Sequence, residues 1–289
     1  MGAIDYWCNA FTPAYRALWD AAIGEQDLAV RVRRDPEDSF AEPAAFLARM
    51  DELGFDTVLL PSADVPGDAG PYAYERYATP PNELQKLVAA HPGRFAGLCT
   101  IDPTEGLAGV RRVAEMLALP DFVGLHLHTH SHDRAFDHRD LYPFYALAAE
   151  HDVPVVMQAG ASGGLLPSEC GRPLGIDRPA IFFGAVRFVL SHLGWPWTGE
   201  AIAMAHKHPN VFLGTAAWPP HRWPIELVEF VRGSGQGKTL LGTGFPVAGH
   251  RHVLARLADL ALPERARAEL CGGAARRVFT RLPVSEDRS

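Results

Sequence analysis

Apolar and polar positions alternate along the chain in two periods. Short runs of Val, Ile, Leu and Phe, as in Val153-Pro154-Val155-Val156-Met157, are followed by longer stretches whose apolar residues recur at helical spacing. The first period suits strands buried in a parallel sheet, and the second suits amphipathic helices laid over it. Strands are predicted at 3–9, 55–61, 95–101, 122–128, 153–158, 186–192, 210–215 and 239–243. Helices are predicted at 42–53, 81–90, 106–117, 141–151, 199–207 and 225–232, with two more at 250–261 and 264–279. Gly54, Pro92-Gly93 and Pro209-Asn210 stand where helix gives way to strand, and residues of these types end helices. The pattern predicts an α/β fold, a (β/α)8 TIM barrel over 1–289 as one domain, with C-terminal helices in 249–280 packed on the barrel.

The segments after strands one, two and five, 10–40, 62–80 and 159–179, are long. They leave the C-terminal ends of their strands, where barrels of this kind build active sites, so they are expected to cover a pocket. Within the second, Pro71-Tyr72-Ala73-Tyr74-Glu75-Arg76-Tyr77 reads as a lid, because amphipathic rings shield a small molecule while their hydroxyls stay wet. Tyr74 is its candidate contact. For 10–40 a lid and an irregular solvated surface are both left open.

Composition narrows the function. A 47% apolar chain sustains a large core, and a net charge of -7 spread over mixed acids and bases offers no basic face to nucleic acid. No apolar run reaches the roughly 20 residues of a membrane span, and the N-terminus lacks the charged and apolar regions of a leader, so a cytoplasmic protein without membrane contact is expected. A lipid anchor on Gly2 is disfavoured because Tyr6 stands where Ser or Thr is wanted. Cys8, Cys99, Cys170 and Cys271 are scattered and form no metal or redox pair; Cys8 alone borders candidate site positions. The expected partner is a small-molecule substrate, and a homodimer is left open.

The run 187–209, R-F-V-L-S-H-L-G-W-P-W-T-G-E-A-I-A-M-A-H-K-H-P, followed by Asn210-Val211-Phe212-Leu213, resembles the sixth strand, sixth helix and seventh strand of the amidohydrolase-2 family. Similar in the same way are Val153 to Gly160, Leu240-Leu241-Gly242-Thr243-Gly244-Phe245-Pro246, Cys271-Gly272-Gly273-Ala274-Ala275-Arg276-Arg277-Val278-Phe279 and the opening Ile4-Asp5. The family includes aminocarboxymuconate-semialdehyde decarboxylase-like enzymes and relatives that decarboxylate, hydrate or hydrolyse small cyclic acids. The resemblance implies a metal held by a His-x-His pair after strand one, a His after strand five, a His after strand six and an Asp after strand eight. Carried over position by position, the pair falls on Trp7 and Asn9, the third ligand on Gln158 and the carboxylate on Gly244; His192 alone is kept. An indole nitrogen only donates, amides ligate weakly and glycine offers nothing, so no metal cofactor is expected, with zinc or manganese as the alternative.

Strand four ends in Gly124-Leu125-His126-Leu127-His128-Thr129-His130-Ser131-His132. Side chains two apart share a face, so His126 and His128, with His130 if the strand stays extended, face away from Leu125 and Leu127. Three readings stay open: hydrogen-bonded structural histidines, a metal-free polar cage, and a relocated metal site using His128 or His130 with His192. His192, His128 and His126 are the catalytic candidates; Trp7, Asn9, Gln158, His130, Tyr74, Trp218 and Arg222 are the substrate-binding ones. Asp5 is read as orienting a histidine or pairing with a buried donor near the floor, His206 and His208 as surface residues, and Arg134, Arg172, Arg222 and Arg251 as candidate carboxylate anchors. The expected activity is a metal-independent hydrolase or lyase using imidazole acid/base chemistry on a small cyclic or carboxylated molecule: hydrolysis, lactone opening or closing, or decarboxylation. A metal enzyme with relocated ligands and a non-catalytic binding barrel are the alternatives.

Overall fold

The computed structural model describes residues 2–16, 40–65, 77–164 and 166–283. Strands Ala3–Asp5, Phe55–Pro61, Phe95–Thr100, Phe122–Leu127, Val155–Gln158, Phe188–Ser191, Val211–Gly214 and Thr239–Leu240 lie side by side in chain order, each pair parallel. Tyr6 N donates to Leu241 O at 3.0 Å and Gly244 N to Trp7 O at 2.8 Å, closing the last strand onto the first. This is the (β/α)8 barrel that the alternation predicts. Helices Pro81–Ala90, Gly106–Leu117 and Ile225–Arg232 fall on their predicted bounds. Most strands end earlier than predicted, because His128, His192 and Thr243 leave the ladder to enter the loops above it.

Alternation along the strands separates two apolar layers. Ile4, Tyr6, Trp7, Leu59, Leu98, Val123, Val156 and Val189 fill the lumen, and Ala274, Ala275, Val278 and Phe279 from the C-terminal helical segment belong to the same inner cluster. Leu125, Leu127, Met157 and Leu190 face the helices instead. The first strand departs from a simple alternation: its ladder stops at Asp5, and Tyr6 and Trp7 both join the lumen before Cys8 pairs with Phe245.

After the second strand, Ala63–Val65 pairs antiparallel with Tyr77–Thr79 as a short ribbon. Tyr74, the expected lid contact, lies outside the described residues, as do 17–39 of the first long segment. No helix among the described residues is long and apolar enough to cross a membrane.

Tyr6 shows how the lumen was packed around one ring. A Cβ on Gly214 would stand 2.1 Å from Tyr6 Oη, and one on Gly242 would stand 2.3 Å from Tyr6 Cε1. The ring occupies the volume that two side chains on strand seven and just past strand eight would take, and its hydroxyl meets Ser191 Oγ at 2.6 Å and accepts from Ala216 N at 3.3 Å. Gly214→Ala should therefore cost about 1–3 kcal/mol by overpacking, and measurably less in a Tyr6→Leu background. Urea midpoints of the four proteins in the cycle measure this; an equal cost in both backgrounds would show that the ring is not the obstacle.

Candidate active site

Trp7 lies between two histidines at the upper end of the lumen. Its ring centroid is 4.8 Å from His126 and 5.1 Å from His192, with interplanar angles of 88° and 78°. His128 follows His126 at 6.3 Å between centroids, and His130 follows His128 at 5.9 Å. His126 faces inward because Leu125 and Leu127 face the helices. The strand does not stay extended to His130: it ends at Leu127, and Thr129–His132 forms a helical turn. His128 caps that turn, its Nδ1 accepting from Ser131 N at 3.2 Å and from the Ser131 hydroxyl. His130 is thereby turned off the strand face, and its Nε2 donates to Gly160 O, 2.9 Å away in the loop after strand five.

The indole is fixed from both sides. Trp7 Nε1 donates to Asn9 Oδ1 at 3.1 Å, and Asn9 Nδ2 donates to Phe245 O at 2.8 Å and Gly244 O at 3.3 Å. Asn9, expected to meet the ligand, has its amide engaged at both ends by the protein. Gln158 sits at the end of strand five, paired in register with Ser191 beside His192 and adjoining His130. His192 and Leu193 take φ of 58° and 57°, a left-handed conformation that costs roughly 1–2 kcal/mol per non-glycine residue and persists only where the surroundings impose it. Here the Tyr6–Ser191 hydrogen bond and the indole hold the segment.

Asn9, His128, Gln158 and His192 retain partial access at the ends of strands one, four, five and six, whereas Trp7 and His126 lie buried beneath them. Burial controls the charge of the cluster. It pushes His126 down to about 4, against the opposing pull of the Ser62 carbonyl, and pushes His192 down to about 3, with His130 and His126 adding to the effect. His128 is held well below the ordinary imidazole range by burial and then by His130 and His126. His130 is also lowered by burial, despite the Gly160 carbonyl. All four rings are neutral at pH 7. His126 Nδ1 lies 2.6 Å from Ser62 O, which only accepts, so that nitrogen carries the proton. Among the described residues, His126 Nε2, His130 Nδ1 and His192 Nδ1 are buried nitrogens without a hydrogen-bond partner.

The family's metal positions do not fit a divalent ion in this chain. Trp7 offers a ring with no lone pair, and Asn9 Oδ1 already accepts from it. Gly244 has φ of 61°, and a Cβ there would stand 2.4 Å from Ala217 N, so this backbone has no room for the carboxylate. Nor do His128, His130 and His192 converge as a relocated set: among the described residues the three-donor cluster is Asp5, Cys8 and His250, whose ligand atoms lie within 4.8 Å of one another. Cys8 belongs to the outer layer, and its thiol is pushed well up by burial. Asp5 accepts from Trp7 N and Thr243 N at 3.0 Å each and from Thr243 Oγ1 at 2.6 Å. His250 Nε2 is 2.9 Å from Asp5 Oδ2 but out of line for a regular hydrogen bond. Asp5 therefore staples strand one to the loop after strand eight and to helix His250–Asp259.

The remaining candidates separate. Trp218 is half-buried, with its ring 5.0 Å from that of Trp195, which sequence reasoning did not single out; Trp223 Nε1 fixes it by donating to Trp218 O at 2.7 Å. Arg222 is exposed on the turn Pro220–Arg222. Arg134 pairs with Asp140, Arg172 with Glu200 and Glu169, and Arg251 with Glu52, so these three guanidinium groups are held by carboxylates. His206 is exposed as expected, but His208 is buried, its Nε2 2.7 Å from Asp177 Oδ1. Tyr6 and Ser131 were missed; the paired glycines in strand seven and just past strand eight were the available signal for the first.

The fold and this site define an amidohydrolase-type barrel. The family profile described as amidohydrolase matches residues 4–281, and the chain belongs to that family. Among solved structures, a Tim-barrel protein from Bordetella bronchiseptica superposes with a TM-score of 0.79 at 18% identity, over 98% of this chain and 99% of that one. A 5-carboxyvanillate decarboxylase from Sphingomonas paucimobilis gives 0.65 at 20% identity over 96% and 99%. A dihydroxybenzoic acid decarboxylase from Polaromonas, with bound manganese and the inhibitor 2-nitroresorcinol, gives 0.68 at 18% identity over 98% of each chain. These likenesses show the fold. No curated protein matches the chain.

The depressed imidazoles tie stability to pH. Between the ordinary value of 6.5 and the folded values near 4 and 3, the unfolded chain binds protons that the buried rings refuse. The contribution of these rings to stability is therefore full above pH 6.5, falls as pH drops through that window and levels off below it. Each such ring contributes roughly 1.4 kcal/mol per pH unit to the slope. His126→Gln should flatten the slope by about one proton in urea unfolding series; an unchanged slope would mean that His126 ionises freely in the folded protein.

Proposed function

We propose that this chain is a metal-independent enzyme of the amidohydrolase type, a hydrolase or lyase acting on a small cyclic or carboxylated molecule through neutral imidazoles. The observation that carries this reading is the partly accessible pair His128 and His192 above a buried indole. His192 takes and returns the proton, and Trp7 offers an aromatic floor. His126, fully buried under the indole, supports Trp7 and His128 and does not itself face the mouth. In lactone opening, water adds to the carbonyl carbon as His192 accepts its proton. The ring C–O bond then breaks, and the departing oxygen takes that proton back, so one water is added overall. The decarboxylases that share the fold support loss of carbon dioxide from a cyclic acid as the other outcome for the same site. Imidazole alone assists amide cleavage poorly, so activated esters, lactones and acids with stabilised carbanions are the substrates to try.

Manganese in a neighbour's structure gives a metal-dependent reading one specific foothold in this chain, the Asp5, Cys8 and His250 donors. Cys8 and His250 pack in the outer layer, apart from the His128–His192 mouth, so an ion there would brace the barrel wall.

A screen of lactones and aromatic acids tests the proposal. His192→Ala should lower kcat/KM for whichever compound turns over by about 10²–10⁴-fold while leaving the fold intact. A base must be neutral to act, and that form is lost only as pH falls through the folded value. The acid limb of the wild-type profile should therefore lie near about 3 and not near 6.5. Turnover that survives His192→Ala, or that is abolished by chelator and restored by manganese, would reject the assignment.

A further inference from the structure

His128 stands where strand four turns into the helical segment Thr129–His132, and the cap it makes decides which ring nitrogen carries hydrogen. Ser131 N lies 3.2 Å from His128 Nδ1 and shares its hydrogen with His128 O, also 3.2 Å away, and a backbone N–H can only donate. Nδ1 is therefore the lone-pair nitrogen, and in the neutral ring the hydrogen sits on Nε2. The Ser131 hydroxyl approaches the same Nδ1 and strengthens that choice. Protonating Nδ1 would break the cap and set two hydrogens against each other.

The surroundings also oppose a charged ring. The groups that bear on His128 are the imidazoles of His130, His126, His132 and His192. The carboxylates nearby face elsewhere: Asp102 lies 3.7 Å from His132 Nδ1, and Asp133 bears on His130 and Cys170. A neutral ring with its lone pair committed to the cap has no site for taking a proton from a ligand. It has one group to offer at the mouth, the Nε2–H.

We propose that His128 acts on the ligand as a neutral hydrogen-bond donor to a carbonyl oxygen, and that Ser131 is the positioning residue that sets its tautomer. This rests on the reading of the His128–His192 mouth as the reacting site. It gives the site a substitute for the Lewis acid that Trp7 and Gly244 leave no room for. When water adds to an ester or lactone carbonyl, the π pair moves onto oxygen and Nε2–H donates to that oxyanion without surrendering its proton. His192 holds the proton taken from water and passes it to the leaving oxygen as the tetrahedral carbon collapses. His128 is unchanged throughout.

Two measurements on the full chain decide this. In protein labelled with ¹⁵N-histidine, two-bond ¹H–¹⁵N correlations should show His128 as the Nε2–H tautomer between about pH 5 and 8, and Ser131→Ala, which loses the hydroxyl but keeps the backbone donor, should keep that tautomer in the majority. With 4-nitrophenyl acetate as the probe substrate, His128→Ala should lose about 10²-fold in kcat, as loss of one oxyanion donor does. His128→Gln, which keeps an N–H donor but no usable base, should recover about tenfold of that loss. A lone pair on Nε2, or a Gln variant no better than Ala, overturns the assignment. Wild-type protein that fails to hydrolyse the ester, or His192→Ala that hydrolyses it unimpaired, defeats the broader reading of the mouth; the tautomer measurement then stands on its own and still settles the state of His128.

Discussion

The indole of Trp7 is the constraint around which the upper barrel is arranged. It lies edge-on between His126 and His192, its N–H is taken by Asn9, and Asn9 in turn binds the carbonyls of Gly244 and Phe245. One side chain thus links the ends of strands one, four and six to the loop after strand eight. The same ring stands at one of the positions where the resemblance places the family's metal ligands. The loop conformation at Gly244, closed against Ala217, removes the carboxylate that an ion would need. Ring, amide and backbone at these positions thus all lack the donors that the resemblance implies.

What remains is a site whose electrostatics come from burial. Imidazoles near one another and out of water are cheapest when neutral, and neutral imidazoles are distinguished only by which nitrogen carries hydrogen. Backbone carbonyls at Ser62 and Gly160 and the Ser131 amide make that choice for three of the four. The proposed chemistry rests on oriented N–H groups and lone pairs. Arg134, Arg172 and Arg251, which could have supplied a long-range field, are each neutralised by a nearby carboxylate.

Much of the barrel could be read from sequence because each strand carries its own period and each helix its own stop. His126 was legible for the same reason, since Leu125 and Leu127 mark the outer face. What failed to be legible depended on partners distant in sequence or on a local choice between two structures. The segment His128-Thr129-His130-Ser131 reads equally as an extended strand end or as a capped turn, and the Ser131 amide decides for the turn. His208 is buried because Asp177 meets it from another helix. Asp5 finds Thr243 and His250 across the closing seam. The engagement of Asn9 with Trp7 could not be foreseen while both were expected to face a ligand.

We propose that an indole stands where the family's cation would be. Anomalous diffraction at the manganese edge, from crystals grown with excess manganese, tests this most directly. The account predicts no anomalous density within the cage of Trp7, His126 and His192, with the indole ordered between the two imidazoles. A peak there, with the indole displaced and His192 turned onto the ion, would contradict it.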